Sequence, residues 1–109
     1  MSERPEFLGA IGLCARAGKL ICGIPMICDA MKHGGQGRPI LVLEASDTSE
    51  NSHKRISDRC RYYQVKQIRL PVGGGELGAA VGKTTQLGAV AVTDAGLAAM
   101  VEKKLDGTV

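Results

Sequence analysis

The chain has very few aromatic residues: its 109 residues include no Trp, one Phe and two Tyr. Proteins that bind single-stranded nucleic acid often stack bases on aromatic side chains, so this composition argues against a platform of that kind. The core must instead be built from aliphatic residues and Met. At this length we expect one domain, residues 1–109, with a single hydrophobic core.

The cysteines and histidines show no metal-binding pattern. No two of the four cysteines have C-x-x-C spacing, and the two histidines are not placed as their partners. The residues concerned are Cys14, Cys22, Cys28, Cys60, His33 and His53. We therefore expect neither a metal nor another cofactor. Each cysteine lies in an apolar pattern, which predicts small buried side chains in a reducing compartment.

Long apolar segments are also missing from the sequence. No stretch could span a membrane, and the charged residues 1–6 are not followed by an apolar run long enough for a signal peptide. Together with the cysteines, this predicts a cytoplasmic protein with no membrane partner.

Positive charge is present, and it is concentrated in one part of the chain. The net charge is only +3, but residues 52–69 contain six basic residues and one acid. The basic residues are Lys54, Arg55, Arg59, Arg61, Lys66 and Arg69. Such a cluster would suit RNA phosphates, and a solvated helix face that keeps the protein soluble is an equal alternative.

Apolar spacing predicts helices that alternate with strands. Helices are expected over residues 6–16, from Gly23 to the glycines at 34–37, over residues 53–63 after a capped turn, over residues 76–81 and after Asp94. Strands are expected over residues 19–22, 40–44, 67–70 and 89–92. The alternation predicts an α/β fold, a three-layer α/β/α sandwich with a four-stranded central sheet.

The third helix has two possible N-caps and a basic exposed side. Asp47 with Glu50 resembles a capping box, and Ser49 is an equally good cap. Ile56, Cys60 and Tyr63 fall on one side of this helix, mostly opposite its basic residues.

Two glycine-rich matches to nucleotide-binding motifs fail on physical grounds. Residues 73–78 match G-x-G-x-x-G, but Glu76 would repel a pyrophosphate at the helix N-terminus. Residues 78–84 look like a P-loop, but only three residues separate their two glycines, where a P-loop has four. They are also expected at the end of a helix, whereas a P-loop begins one. These glycines are better explained by a tight turn, close helix packing and a C-cap. No catalytic constellation is evident, so we expect no enzyme.

Several short blocks agree in order and spacing with a known family. They are residues 8–9, 15–20, 23, 40–43, 45–51, 60–65, 76–83 and 89–94. On these blocks the chain resembles the kink-turn-binding ribosomal-protein superfamily (the L7Ae and L30e group), and within it the bacterial YlxQ-like branch. The resemblance implies the α/β/α sandwich and a non-enzymatic RNA-binding protein, ribosomal or ribosome-associated.

The resemblance also implies a binding edge. Relatives that bind kink-turns use the turn after the first strand and the start of the second helix, where a glycine precedes a polar pair and then a Lys. In this chain Gly23 matches the glycine, Pro25 and Met26 stand at the polar pair, and Asp29 stands at the Lys. Pro25 has no N–H and Met26 no strong donor, so we expect contacts mainly to phosphates, with kink-turn recognition weakened.

Fourteen residues are predicted to contact RNA, some from their charge and some from the resemblance. They are Lys19, Gly23, Ile24, Pro25, Met26, Lys32, Asp47, Lys54, Arg55, Arg59, Lys83, Gln86, Leu87 and Gly88. The alternative is a protein-interaction module of the same fold. In that reading Ile24, Pro25, Met26 and Leu87 form an apolar patch that docks a protein partner or a second copy.

Overall fold

Helices and strands alternate along the chain, as the apolar spacing predicts. The structure, a computed structural model, describes residues 5–35 and 37–106. The helices within these ranges are α1 (Glu6–Arg16), α2 (Ile24–His33), α3 (Glu50–Tyr63), α4 (Gly74–Ala80) and α5 (Ala95–Asp106). The strands are β1 (Leu20–Cys22), β2 (Leu41–Glu44), β3 (Lys66–Arg69) and β4 (Ala89–Val92). None of the described helices is long and apolar enough to cross a membrane.

The four strands form one mixed sheet in the order β1-β4-β2-β3. β2 and β3 are parallel, and β4 runs antiparallel to both β1 and β2. The register pairs Cys22 with Val90 and Glu44 with both Ala89 and Arg69. The carboxyl ends of β1, β2 and β3 therefore lie at the same edge as the beginning of β4.

The two faces of the sheet are covered by different helices. Adjacent strand residues point to opposite faces: Leu43 packs with α1, α4 and α5, and Val42 packs with α2 and α3. The central strands β2 and β4 are buried throughout, as expected for strands covered on both sides. The predicted three-layer α/β/α sandwich with a four-stranded sheet is confirmed.

The structure decides between the two predicted caps of α3. Ser49 is the N-cap, and its Oγ accepts a hydrogen bond from the backbone N–H of Ser52 at 3.2 Å. The capping role predicted for Asp47 at this helix is wrong. Its Oδ1 accepts instead from the backbone N–H of Gly74 at 2.9 Å, at the start of α4. The predicted cap Asp94 accepts from the N–H of Leu97 at 2.9 Å.

The loop before β4 lies directly along α4, and the helix glycines allow this close approach. A Cβ at Gly78 would lie 2.2 Å from the carbonyl oxygen of Thr85, and one at Gly74 would lie 2.7 Å from that of Leu87. Both distances are shorter than any real Cβ contact. The glycine run thus serves close packing, in agreement with the sequence-based interpretation.

We predict that Gly78→Ala lowers the free energy of unfolding by about 1–3 kcal/mol, because the added methyl group must displace backbone. Gly75→Ala is the matched control in the same helix, since a Cβ there meets nothing within 4 Å. The control should be neutral or stabilising by up to about 1 kcal/mol. Thermal unfolding of the two variants measures the difference, and equal stabilities would contradict the packing explanation.

Candidate nucleic-acid interface

Four chain segments meet at the edge where β1 and β2 end and β4 begins. They are the β1–α2 turn, the β2–α3 turn, the start of α4 and the end of the loop before β4. Together they enclose an open cleft of about 380 Å³. Its lining is formed by Gly23, Ile24, Pro25, Asp47, Thr48, Ser49, Ser52, Gly74, Gln86, Leu87 and Gly88. Seven of the fourteen residues predicted from the sequence are in this lining.

Hydrogen bonds across the segments hold the cleft in shape. Gly23, with φ +93°, begins α2, and its N–H donates to the carbonyl of Ala89 at 2.9 Å. On the other side of β4, the N–H of Ala45 donates to the carbonyl of Gly88 at 2.8 Å. The hydroxyl of Thr48 donates to the carbonyl of Ala45 at 2.7 Å. The starts of α2 and α3 are therefore fixed relative to β4.

The apolar patch predicted at this edge is smaller than expected. Ile24 and Leu87 are only 7% and 8% exposed, because both side chains belong to the core. Ile24 packs under Gly88, where an added Cβ would lie 3.1 Å from its Cδ1. The exposed apolar surface consists of Pro25 and Met26, the latter 61% exposed.

The basic residues of α3 lie on two different sides of the helix. Arg55 and Arg59 are three and seven positions after Ser52, which lines the cleft, so all three share one side. We call Ser52, Arg55 and Arg59 the α3 stripe. Lys54 is three positions before Ser57, which contacts β3, so Lys54 lies on the opposite flank.

Within residues 5–35 and 37–106, the three α3 cations Lys54, Arg55 and Arg59 form no ion pair with a carboxylate. All three side chains are exposed. Arg61, by contrast, lies 3.9 Å from Asp58. The arginines of the α3 stripe are therefore available to an anion that approaches from the cleft.

The remaining predicted cations are not all near the cleft. Lys32 is seven positions after Pro25 on α2, so it lies on the cleft side but at the far end of that helix. Lys19 lies at the opposite end of the sheet, where its carbonyl accepts from the N–H of Thr93 just beyond β4. The sequence could not determine either position.

Lys83, in the loop after α4, acts electrostatically on Cys22 at the end of β1. Burial raises the pKa of the half-buried Cys22 thiol, and the Lys83 ammonium opposes part of that rise. Burial also raises the pKa of Cys60, to about 11. All four cysteines are free thiols, and Cys14, Cys28 and Cys60 are buried as predicted.

A buried polar cluster lies behind the cleft, and no local pattern in the sequence indicates it. Glu44, at the end of β2, is fully buried, and its carboxylate accepts from His53 Nδ1 at 2.7 Å and from Gln67 Nε2 at 3.0 Å. Gln67 Nε2 also donates to Ser57 Oγ at 3.0 Å. Neither histidine stands beside a carboxylate in a sequence motif; in the structure His33 lies 3.6 Å from Asp29, and His53 is paired with Glu44. The pair joins residues nine positions apart that the β2–α3 turn brings together.

Metal-ligating side chains do not gather at the cleft or elsewhere in the described part of the chain. No group of three or more His, Cys, Asp or Glu residues there could hold a metal ion.

We predict that His53→Ala lowers the free energy of unfolding by about 1–3 kcal/mol, because the buried Glu44 carboxylate keeps only Gln67 as a partner. Urea denaturation measures the change. The exposed histidine provides the control: His33→Ala should change stability by less than about 0.5 kcal/mol.

A second variant tests whether the loss of stability comes from leaving the buried Glu44 carboxylate without His53. The double variant Glu44→Leu, His53→Ala removes both members of the pair and leaves no buried carboxylate, so it should be more stable than His53→Ala alone. If the double variant is the less stable of the two, the carboxylate contributes in some way other than through His53.

We also predict the order in which the thiols are alkylated at pH 8. Only a thiolate reacts, so a raised pKa lowers the reactive fraction, and Cys22 should react before Cys60. Lys83→Ala removes a charge that lowers the pKa of Cys22, so it should slow that reaction, whereas Lys103→Ala on α5 should not. Mass spectrometry of the alkylated peptides gives the rates. Equal rates in the two Lys variants would contradict an electrostatic effect of Lys83 on Cys22.

Comparison with known proteins identifies the family. Residues 6–102 match the model of the "Ribosomal protein L7Ae/L30e/S12e/Gadd45 family". The protein "RNA-binding protein YlxQ" of Bacillus subtilis (strain 168) is 33% identical over 101 residues, which cover 93% of this chain and 96% of that protein. "RNA-binding protein YlxQ" of Enterococcus faecium is 30% identical over 106 residues, 96% of each chain.

Solved structures agree with the fold. A protein with unknown function from Bacillus halodurans C superposes with a TM-score of 0.82 at 28% identity, over 94% of this chain and 99% of that one. The Giardia lamblia 15.5kD RNA binding protein has a TM-score of 0.71 at 14% identity, over 96% and 89% of the two chains, which shows a common fold. The chain therefore belongs to the ribosomal protein L7Ae/L30e/S12e/Gadd45 family and, within it, to the YlxQ-like branch.

Proposed function

We propose that this protein is a non-enzymatic RNA-binding protein, and that a structured RNA binds at the cleft and along the groove between α2 and α3. The observation that carries the proposal is the convergence of two helix starts and the α3 stripe on one cleft. The names of the two YlxQ relatives, both RNA-binding proteins, support the same class of partner.

The electrostatics of the cleft favour phosphate groups. α2 and α3 both begin at this edge, and the N-terminus of a helix carries partial positive charge with N–H groups that point outward. Arg55 and Arg59 continue this positive region along α3, and Lys32 faces the same groove from α2. A phosphate backbone that follows the groove would meet the helix starts first and the arginines next.

Base recognition should be limited at the start of α2. Pro25 has no N–H to donate, Met26 offers no strong hydrogen-bond partner, and Asp29 carries a negative charge on the same helix. Asp29 lies 3.6 Å from His33, and Asp47 accepts a hydrogen bond from Gly74, so both acids have partners within the protein. Neither carboxylate offers a hydrogen-bond donor to RNA. We therefore propose that the protein binds RNA mainly through phosphate contacts, with little selection by base identity or by the kink-turn shape.

The proposal includes a cytoplasmic location and association with the ribosome or its RNA. The family name, which includes ribosomal proteins, supports the association with the ribosome. The four free thiols support a reducing compartment such as the cytoplasm. Six of the predicted residues contribute through charge or backbone in this account: Gly23, Lys32, Arg55, Arg59, Gln86 and Gly88. Lys19 is left out, because it lies at the other end of the sheet.

A second candidate function is docking of a protein partner at the start of α2. The exposed pair Pro25 and Met26 favours it, since Met side chains adapt to varied apolar surfaces. The burial of Ile24 and Leu87 weakens it by leaving only two apolar residues exposed.

The test is a titration of a labelled kink-turn RNA and a straight duplex of equal length, at low and near-physiological salt. We expect the protein to bind both, with an affinity that falls as salt rises and with little preference for the kink-turn. A strong kink-turn preference that survives added salt would contradict the limited base recognition at Pro25 and Met26. Absence of binding to either RNA would contradict the proposed function and favour the protein-docking candidate.

A matched pair of double variants tests the groove itself. Arg55→Ala with Arg59→Ala should weaken binding by about tenfold or more and reduce the salt dependence. Lys19→Ala with Lys103→Ala removes the same charge from residues away from the groove and should leave affinity nearly unchanged. Equal losses in the two double variants would mean that net charge, and not the α3 stripe, determines binding.

A further inference from the structure

One aromatic side chain is left almost fully exposed by the fold. Tyr62, in the last turn of α3, is 79% exposed. Its ring meets that of Tyr63 edge to face, with centroids 4.8 Å apart and planes at 81°. With Asp58 and Arg59, the two tyrosines line an open depression of about 430 Å³. The Tyr62 ring is therefore largely accessible, and the Tyr63 ring stands beside it.

The end of α3 is well anchored, so the position of this ring is defined. Gln64 closes the helix in the left-handed conformation with φ 58°, and its N–H bonds back to the helix. Arg38 Nη2 donates to the carbonyl of Tyr63 at 2.8 Å. The Tyr63 ring packs against the core formed by α2 and α3. Tyr62 thus projects from a rigid helix end toward solvent.

Tyr62 continues the α3 stripe. It is three positions after Arg59 and seven after Arg55, so the three side chains share one side of the helix. It is ten positions after Ser52, which is about 15 Å along the helix axis from the cleft. The cleft, the two arginines and the exposed ring therefore form one continuous surface.

The charges around the ring favour a nucleotide. Arg59 has no carboxylate partner among the described residues, and Asp58 lies 3.9 Å from the guanidinium of Arg61, which offsets its negative charge. An unpaired guanidinium beside an exposed aromatic face offers a phosphate contact and a stacking surface at once. A purely apolar partner would leave Arg59 desolvated and unpaired.

We propose that Tyr62 is a stacking site for one unpaired RNA base, belonging to a strand whose phosphates follow Arg55 and Arg59. This rests on the proposed function and adds a second point of contact beyond the cleft. The low aromatic content of the sequence argues against a platform of several rings, and the site proposed here needs a single ring.

The test compares one structured RNA with versions that carry a short single-stranded extension at the 5′ or the 3′ end. We expect one extension to tighten binding by about 5- to 100-fold. Tyr62→Ala should lose that gain and bind the blunt RNA like the wild type, whereas Tyr62→Phe keeps the ring and should keep the gain. Leu13→Ala, which truncates another exposed side chain on the opposite layer, should retain it as well.

Tyrosine fluorescence gives a direct readout of stacking. The chain has no Trp and only two Tyr, so Tyr63→Phe leaves Tyr62 as the one emitting side chain. The intensity of its emission should fall when the extended RNA binds, because the stacked base quenches it, and should stay unchanged when the blunt RNA binds. Circular dichroism of each variant verifies the fold, and a largely exposed ring can be removed with little effect on stability.

The possible failures are distinguishable. If wild-type protein binds the RNAs but Tyr62→Ala binds the extended RNA equally well, the stacking site is overturned and the proposed function stands. The same conclusion follows if no extension improves wild-type binding. If the protein binds neither blunt nor extended RNA, both proposals are overturned.

Discussion

The antiparallel pairing of β4 with both β1 and β2 is the constraint on which the candidate site depends. Because β4 runs between two parallel strands in the opposite direction, its beginning meets their carboxyl ends at one edge. A backbone hydrogen bond from the N–H of Gly23 to the carbonyl of Ala89 closes one side of this edge, and one from the N–H of Ala45 to the carbonyl of Gly88 closes the other. The helices that follow β1 and β2 must then begin side by side, and their N-termini form the wall of the cleft.

Two further interactions keep that edge closed. Asp47 holds the start of α4 against the β2–α3 turn, and the glycines of α4 let the loop before β4 lie along the helix. Behind the cleft, the buried carboxylate of Glu44 is bound by His53 and Gln67, which ties α3 and β3 to the end of β2. The acids nearest the cleft thus have structural partners, and the cations of the α3 stripe have none among the described residues.

Local patterns in the sequence were sufficient for the fold and for part of the site. Apolar spacing predicts the order of helices and strands, and Asp94 caps α5 as expected. Contacts between residues far apart in the chain could not be predicted from local patterns. Asp47 binds a backbone N–H 27 positions away, and Glu44 binds Gln67 23 positions away, so a local capping pattern misassigned the first and overlooked the second.

Exposure at the candidate site also depends on tertiary packing. Ile24 and Met26 belong to one apolar run, yet only Met26 is exposed, because Gly88 gives Ile24 a place in the core. The basic residues of α3 form one cluster in the sequence, but in the structure they lie on two different sides of the helix. Only Arg55 and Arg59 continue from the cleft, and this continuity is what the account of RNA binding requires.

The most direct measurement is a ¹⁵N–¹H NMR titration of the labelled protein with a structured RNA. The account predicts that amide shifts concentrate in Gly23, Ile24 and Met26 and in residues 49–59 and 86–88, while residues of α1 and α5 on the other face of the sheet stay unchanged. Shifts centred on α1 and α5, with the cleft unaffected, would contradict the account.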